Sequence, residues 1–343
     1  MDGVVLGGLT VSAQGLGCMG MSEYYGPGDW DRATATIHRA LDLGVQLFDT
    51  ADIYGSGHNE VLLGRALGDR RAQAVVATKV GIDRSAGDDR RWVRGEPGYL
   101  RRSCDASLLR LGIDRIDLYY LHRPPQDVPL EEAVAVMAEL VAAGKVGHLG
   151  LCEVSADQLR RAHTVHPIAV VQSEYSVWAR DVEAVTPTMA ALGVGLVAFS
   201  PLGRGFLTAR LDPTTLGTAD SRRGHPRFQG ANAVANQQLV GVVEAAAGRL
   251  GCTPAQVALA WVQSRGPSLG VAVVAIPGTS HPDRVAENLG GLGVVLDAQA
   301  VADLDTLAGR VSGQRTGTMQ AFGAPVADPA ADPGATDPAP GTR

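Results

Sequence analysis

The chain has 343 residues, of which 45% are hydrophobic, 5% aromatic and 19% charged. Its formal net charge is -6, and the 30 Lys and Arg residues form no basic stripe, which argues against a nucleic-acid partner. The four cysteines are scattered without C-x-x-C spacing and are too few for a disulfide scaffold, so they are expected to be free thiols. The composition is that of an ordinary soluble protein with one large apolar core.

The two ends of the chain differ in character. The N-terminus, MDGVVLGGLTVSAQG, has no basic segment followed by an apolar one, and no window of eighteen apolar residues occurs in the chain. We therefore expect a cytoplasmic location and no membrane partner. From residue 321 the sequence is rich in Pro, Ala, Gly and Asp without apolar periodicity. One folded domain is expected over residues 1–320, with a disordered tail over 321–343.

Short apolar segments alternate with longer segments of helical period. The apolar segments predict strands that end at Thr50, Lys79, His122, Cys152, Tyr175, Pro201 and Gly278. The helices predicted among them cover residues 31–43, 98–111, 130–144, 155–164 and 181–192. Such alternation predicts parallel strands, and an eighth strand within residues 15–21 would complete a closed (β/α)8 TIM barrel as a single domain. Weak periodicity over residues 203–236 predicts a long loop over the C-terminal mouth of the barrel.

Three glycines over residues 15–20 match the G-x-G-x-x-G pattern of dinucleotide-binding folds. That pattern should open a helix directly and have an acidic residue about 20 positions later, at the end of a second strand. Here MSEYYGPGDWD delays the helix, and Asp42 falls inside it rather than after a strand. The segment is instead predicted to be the first barrel strand, with Cys18 and Met19 reaching the rim.

Four reactive side chains occur at or just after predicted strand ends. Asp49 ends LFD, Tyr54 follows in DTADIYG, Lys79 ends VVATK, and His122 ends DLYYLH. Since barrel enzymes carry their chemistry at the C-terminal strand ends, we expect the four to converge on one rim. An isolated lysine or aspartate at such a position is more often a solvated terminus or a cap, so the hypothesis depends on the set.

Together these four side chains are suited to protonating an oxygen that gains negative charge. The ammonium of Lys79 is expected to lower the pKa of Tyr54, while Asp49 holds the lysine in an ion pair. His122 is expected to donate a hydrogen bond to a substrate oxygen. The sequence has no G-x-S-x-G nucleophile with a partner His and no H-x-H or H-E-x-x-H metal motif, so a nicotinamide cofactor would supply the missing hydride.

Three longer motifs in this order resemble the aldo-keto reductase family: FDTADIYGSGHNE, PGYLRRSCDASLLRLGIDRIDLYYLH and IPGTSHPDRVAEN. The resemblance runs from about Leu6 to about Leu307. The segments GCMGMSEYYGP, DLYYLHRP and SPLGRGFLT are most similar in sequence to the bacterial and plant branch with YakC-like and perakine-reductase-like proteins. The resemblance implies that Asp49, Tyr54, Lys79 and His122 form a catalytic tetrad with Tyr54 as the general acid.

It further implies hydride transfer from C4 of NADPH, with NADH less favoured, to an aldehyde or ketone. NADPH would lie extended across the barrel mouth, held by Cys18, Met19, Asp49, Cys152, Glu153, Gln172, Ser200, Leu202, Gly203, Arg204, Gly278, Thr279, Ser280, Arg284, Glu287 and Asn288. The carbonyl substrate would contact Tyr24, Tyr54, Trp92 and His122. Three positions depart from many relatives: Cys152–Glu153 replaces a Ser-Asn pair at the nicotinamide, and Gly278 replaces a lysine near the adenosine phosphate.

Two alternatives remain open on the sequence. One is a non-catalytic, NADPH-sensing regulatory subunit similar to the β subunits of potassium channels, against which the intact tetrad argues. The other is a metal-dependent hydrolase on the same barrel, against which the missing metal motifs argue, and no metal site is expected. The substrate and the oligomeric state are left undetermined.

Overall fold

The computed structural model of the protein describes residues 3–85 and 91–315. Its strands are β1 Gly3–Leu6, β2 Leu9–Ser12, β3 Leu16–Gly17, β4 Leu47–Asp49, β5 Val75–Val80, β6 Ile82–Asp83, β7 Trp92–Val93, β8 Ile116–Leu121, β9 Val146–Cys152, β10 Ile168–Glu174, β11 Gly195–Phe199 and β12 Val273–Ala275. Its α-helices are α1 Trp30–Asp42, α2 His58–Leu67, α3 Pro97–Leu111, α4 Leu130–Ala142, α5 Ala156–Val165, α6 Thr186–Leu192, α7 Gly230–Leu250, α8 Pro254–Ser264, α9 Gly266–Leu269, α10 Pro282–Gly290 and α11 Ala298–Asp305.

Eight parallel strands form the barrel, in the order β3-β4-β5-β8-β9-β10-β11-β12. Parallel bridges from Gln14 to Ala275 and from Gly17 to Gly278 join the last strand to the first. The predicted (β/α)8 barrel is therefore confirmed. The C-terminal strand ends, which carry the candidate residues, all lie at one mouth.

The glycine pattern near the N-terminus belongs to this barrel seam. A Cβ atom on Gly15 would lie 2.9 Å from the Ile276 side chain and 2.9 Å from the carbonyl oxygen of Leu47, and one on Gly17 would lie 3.0 Å from the carbonyl oxygen of Ile276. The two contacts at Gly15 are shorter than real side chains make, and the contact at Gly17 is unusually tight. The glycines thus allow close strand packing, as the sequence predicts.

Four of the five predicted helices agree with α1, α3, α4 and α5 to within two residues at each end. The prediction for residues 181–192 is wrong in part, because a 3-10 turn over Asp181–Ala184 precedes the short helix α6. The predicted loop over residues 203–236 is also too long. It contains several 3-10 turns, and α7 already begins at Gly230.

An N-terminal hairpin, β1 and β2, covers the barrel end opposite the active mouth, and the sequence analysis did not predict it. Its turn consists of Gly7 and Gly8, with φ of +53° and +97°, as a two-residue hairpin turn of this hand requires. The buried side chain of Leu6 packs with residues from the barrel interior, and a Cβ on Gly7 would lie 2.4 Å from the Ala169 backbone. The segment VVLGGLTVS, with Gly-Gly between two short apolar stretches, is the sequence pattern that indicates this hairpin.

The segment that precedes the predicted tail is anchored at the barrel mouth. The backbone N–H and carbonyl of Ser312 bond to Asn236 at 2.8 and 2.9 Å. The guanidinium of Arg315 donates to both carboxylate oxygens of Glu153 and lies 3.9 Å from Glu174. The predicted tail, residues 321–343, lies outside the described residues.

Glu153 is buried just after the end of strand β9, where it pairs with a partly buried Arg315. Burial opposes ionisation of Glu153, but the hydrogen bonds and charge of Arg315 outweigh it and hold the pKa of the carboxyl below its ordinary value. Glu153 also accepts from the Ser173 hydroxyl at 2.9 Å and the Glu174 N–H at 2.8 Å. A fully engaged carboxylate therefore ties the C-terminal segment to β9 and β10.

No helix within residues 3–85 and 91–315 combines the length and the apolar character that crossing a membrane requires.

Leu6→Ala should lower the free energy of unfolding by about 2–5 kcal/mol, because it empties space at the closed end of the barrel. Chemical denaturation measures this, with Val5→Ala in the same strand as the control, because Val5 is 59% exposed. Equal losses in the two variants would contradict the hairpin's role as a packed cover.

Arg315→Gln should destabilise the protein by about 3–5 kcal/mol, because it leaves the Glu153 carboxylate buried without its cation. Thermal or chemical unfolding measures the loss, and Arg310→Gln, at an exposed position in the same segment, is the matched control. Adding Glu153→Gln to Arg315→Gln should recover part of the loss.

The stabilisation that the Arg315–Glu153 pair gives should also fade as pH falls through the depressed pKa of Glu153, since protonation of that carboxyl breaks the ion pair.

Candidate active site

A cleft of about 500 Å³ opens at the C-terminal mouth of the barrel. Most of the predicted site residues line it: Met19, Tyr24, Asp49, Tyr54, His122, Cys152, Gln172, Ser200, Leu202, Arg204, Gly278, Thr279, Ser280, Arg284, Glu287 and Asn288. The barrel thus brings together side chains from strand ends that are far apart in the sequence. The cleft extends from the four reactive residues at one end to helix α10 at the other.

The four reactive side chains meet at the floor of the cleft. The Lys79 ammonium donates to Asp49, to the carbonyl oxygen of Thr50 at 2.8 Å and to the Tyr54 hydroxyl at 3.2 Å. Lys79 is buried behind the tyrosine rather than facing the cleft. The rings of Tyr54 and His122 meet edge to face, with centroids 6.1 Å apart. Tyr54 and His122 are therefore the members of the set that can reach a substrate oxygen.

The electrostatics of Lys79 and Tyr54 follow from burial and from the ion pair. Burial alone would lower the pKa of Lys79, but the adjacent Asp49 carboxylate outweighs it and keeps the ammonium charged. Burial also raises the pKa of Tyr54 above its ordinary value, and Lys79 offsets only part of this increase. The lowering effect expected of Lys79 is therefore present, but burial outweighs it and the phenol keeps its proton.

His122 is neutral. Burial, reinforced by the positive charges of Arg123 and Lys79, holds the pKa of its imidazole well below the ordinary value. Its buried Nδ1 has no hydrogen-bond partner among the described residues. A neutral imidazole has one N–H to donate, so His122 can polarise a carbonyl without competing as an acid.

A second layer fixes the loop that carries Tyr54, and the sequence analysis assigned no role to it. Asn59 accepts from the Thr50 hydroxyl at 2.6 Å and donates to the Cys18 carbonyl at 2.9 Å. Glu60, fully buried at the start of α2, accepts from Thr78 at 2.7 Å and from Arg110 at 2.6 Å. The HNE end of the FDTADIYGSGHNE motif was the available signal for these positioning residues.

Gln172 lies on the wall of the cleft, but its side-chain amide makes a contact that the sequence did not predict. Its Nε2 donates to the second carboxylate oxygen of Asp49 at 2.7 Å. This bond completes the hydrogen bonding of Asp49, which also pairs with Lys79. The amide oxygen of Gln172 remains the atom that can face a ligand carboxamide. Next to it, burial raises the pKa of Cys152 to about 12, so this thiol stays protonated.

The loop after strand β11 has a strained backbone that faces the cleft. Ser200 and Arg204 both have positive φ, +50° and +57°, which is uncommon for residues with side chains. Gly203 between them is buried, and a Cβ there would lie 2.5 Å from the Trp178 ring. The turn therefore presents the Arg204 side chain to the cleft, with its guanidinium 3.5 Å from Glu174.

The far end of the cleft suits an anion. No side chain caps the N-terminus of α10, and Arg284 in its first turn has no ion pair within the described residues. Arg32 also lines this end, where its nearest carboxylate is Asp29 at 3.8 Å. Glu287 is neutralised by two hydrogen bonds from Arg210, at 2.9 and 3.0 Å. The residues present thus fit a phosphorylated nucleotide without a lysine at Gly278.

Besides Lys79, four predicted site residues do not line the cleft. Cys18 is buried in the core, Gly203 packs on Trp178, and Glu153 is held by Arg315 at the C-terminal segment. Trp92 pairs with Asp83 in the short β6–β7 ladder and is 52% exposed. These residues differ from their cleft-lining neighbours in the direction of their side chains, which the sequence does not show.

The cleft also contains side chains that the sequence analysis did not select, among them Tyr25, Arg91, Arg123, Phe199 and Arg222. The long loop after β11 holds Tyr24 and Tyr25. The Ser221 N–H donates to the Tyr24 carbonyl at 2.8 Å, and the backbones of Asp220 and Tyr25 form an isolated antiparallel β-bridge. The position of Arg123, directly after His122, was the one signal available for it. Within the described residues, no group of three or more His, Cys, Asp or Glu side chains could hold a metal ion.

Comparisons with known proteins agree with this geometry. The model of the aldo/keto reductase family matches residues 14–308. The glycerol dehydrogenase AKR11B4 from Gluconobacter oxydans is 28% identical with a TM-score of 0.81, over 96% of this chain and 98% of that one. The aldo-keto reductase AKR11C1 from Bacillus halodurans, in its holo form, is 28% identical with a TM-score of 0.73, over 90% of this chain and 96% of that one.

A thermostable aldo-keto reductase, solved with the inhibitor epalrestat, is 29% identical with a TM-score of 0.69, over 90% of this chain and 100% of that one. These neighbours are consistent with the predicted branch. An oxidoreductase that acts on carbonyl compounds follows from the family. The resemblance inferred from the three motifs is confirmed: the chain belongs to the aldo/keto reductase family.

Proposed function

We propose that the protein reduces aldehydes or ketones to alcohols with NADPH, and that Tyr54 is the general acid. One observation carries the proposal: a protonated tyrosine, held by a buried Lys79–Asp49 pair, lies at one end of a cleft whose other end carries Arg284. The first end suits proton delivery to an oxygen. The second suits an anionic nucleotide.

A reduced nicotinamide, when bound, supplies a hydride. The protein's own residues do the rest. His122 donates a hydrogen bond that orients and polarises the carbonyl, and Tyr54 transfers its proton to the oxygen as negative charge develops there. Lys79, 3.2 Å from the phenol oxygen, stabilises the phenolate that is left. Asp49 and Gln172 keep Lys79 in position.

The preference for NADPH over NADH rests on the arginines at the adenosine end of the cleft. Arg284 is the proposed partner of the 2′-phosphate, and Arg32 adds a second positive charge in place of the lysine absent at Gly278. Gln172, Cys152, Ser200 and Arg204 are proposed to contact the rest of the cofactor. A small carbonyl substrate is proposed to lie against Tyr24 and His122. We also propose a cytoplasmic location, in keeping with four free cysteines.

Tyr54→Phe should lower kcat for carbonyl reduction by about 10²–10⁴-fold, because the proton donor is lost while the ring is kept. NADPH absorbance gives the rate, and quenching of protein fluorescence gives the Kd for NADPH, which should stay near the wild-type value. Tyr119→Phe is the matched control, since its buried hydroxyl has no partner within the described residues and packs away from the cleft.

Wild-type-like turnover by Tyr54→Phe would remove Tyr54 from the role of acid. Tight NADPH binding with negligible wild-type turnover across aldehydes and ketones would instead favour the alternative of a cofactor-sensing subunit.

Arg284→Gln should raise the Kd for NADPH by about 10–100-fold, because charge-assisted hydrogen bonds to the 2′-phosphate are worth about 1.5–3 kcal/mol. The Kd for NADH, which lacks that phosphate, should change far less and serves as the internal control. Equal losses for the two cofactors would mean that Arg284 does not distinguish between them.

A further inference from the structure

Arg123 is a cation at the substrate end of the cleft whose charge the proposed reaction does not use. It directly follows His122, lines the cleft, and donates one hydrogen bond from Nη1 to the His122 carbonyl oxygen at 2.6 Å. Within the described residues it has no carboxylate partner. Most of its five N–H donors therefore remain available to a ligand.

The barrel topology separates Arg123 from the proposed phosphate contacts. It follows strand β8, the fourth of the eight strands, whereas the loops with Arg204 and Arg284 follow β11 and β12, the seventh and eighth. In a closed barrel of eight strands, the fourth lies across the mouth from the eighth. A cofactor phosphate bound beside Arg284 would thus lie across the mouth from Arg123 and would not pair with it.

The carboxylates near this end of the cleft are already engaged. Of those lining the cleft, Asp49 pairs with Lys79, and Glu287 pairs with Arg210 at the far end. Asp29 caps helix α1 through the Arg32 N–H at 2.9 Å. The nearby Glu153 attracts Arg123 electrostatically, but its ion pair is with Arg315.

A second arginine strengthens the positive character of the substrate end. Arg91 lines the cleft and donates to the Tyr24 hydroxyl at 2.8 Å. Tyr24, Ile53 and Ile82 supply the apolar and aromatic surface beside it. This end of the cleft therefore combines an apolar wall with positive charge next to the carbonyl-binding His122, which suits a molecule with both an apolar body and an anion.

Building on the proposed reductase function, we propose that the preferred substrates are carbonyl compounds with a carboxylate, which Arg123 binds. The planar guanidinium matches a carboxylate in two parallel hydrogen bonds, which fixes the carbonyl group relative to His122. The carboxylate takes no part in the bond changes: hydride adds to the carbonyl carbon, the Tyr54 proton adds to the oxygen, and NADPH is oxidised to NADP⁺. Arg123 is thus a specificity residue for the substrate.

The test compares 4-carboxybenzaldehyde and its 3-carboxy isomer with their methyl esters, which keep the ring and lose the charge. The measured quantity is the ratio of kcat/KM for acid over ester, compared between enzymes so that intrinsic reactivity cancels. Arg123→Gln should lower the ratio at least about tenfold for at least one isomer, since hydrogen bonds to charged groups are worth about 1.5–3 kcal/mol. Arg123→Lys, which keeps the charge, should retain part of the preference.

Arg102→Gln is the matched control, because Arg102 is a surface arginine with a side chain that is 73% exposed. Its ratio should equal the wild-type ratio. An unchanged ratio in Arg123→Gln for both isomers would overturn the assignment of Arg123, while ester turnover would leave the reductase function in place. An equal loss for acid and ester with a raised Kd for NADPH would overturn it too and assign Arg123 to the cofactor. No turnover of acids, esters or a wider carbonyl panel would overturn the reductase function and this inference with it.

Discussion

The buried ion pair of Lys79 and Asp49 is the interaction on which the rest of the site depends. Burying two charges is costly unless every donor and acceptor finds a partner. Here the ammonium also reaches the Thr50 carbonyl and the Tyr54 hydroxyl, and the carboxylate also accepts from Gln172. The pair therefore links β4, β5 and β10 across the barrel interior. Tyr54 is held in position because its hydroxyl accepts one of the hydrogen bonds that the buried ammonium needs.

Two further buried carboxylates repeat this arrangement around the site. Glu60 joins Thr78 and Arg110 behind the tyrosine loop, and Glu153 joins the C-terminal segment to the ends of β9 and β10 through Arg315. Each carboxylate is balanced by an arginine from a distant part of the chain. Loops at the mouth of a barrel are the least constrained part of the fold, and such pairs restrict them where the chemistry needs fixed geometry.

Charge also divides the cleft into two ends. The cations at α10 lie beside an uncapped helix N-terminus, and those near His122 lie beside aromatic and apolar walls. The first environment favours a phosphate and the second a partly apolar ligand. In the proposed function, the barrel mouth holds a nucleotide and a carbonyl compound together, with Tyr54 between the substrate oxygen and the Lys79 ammonium.

The sequence by itself determined the barrel, most helix positions and the reactive set, because period and strand-end position are local properties. It also assigned the glycines near residues 15–20 to close packing of the first barrel strand rather than to a phosphate loop. Only the tertiary structure decided that Gln172 bonds to Asp49, 123 residues away, and that Glu153 turns to Arg315, 162 residues away, instead of toward the cleft. Such pairings depend on strand order, side-chain direction and the path of the last segment. Burial, which outweighs the charge of Lys79 in setting the pKa of Tyr54, likewise exists only once the chain has folded.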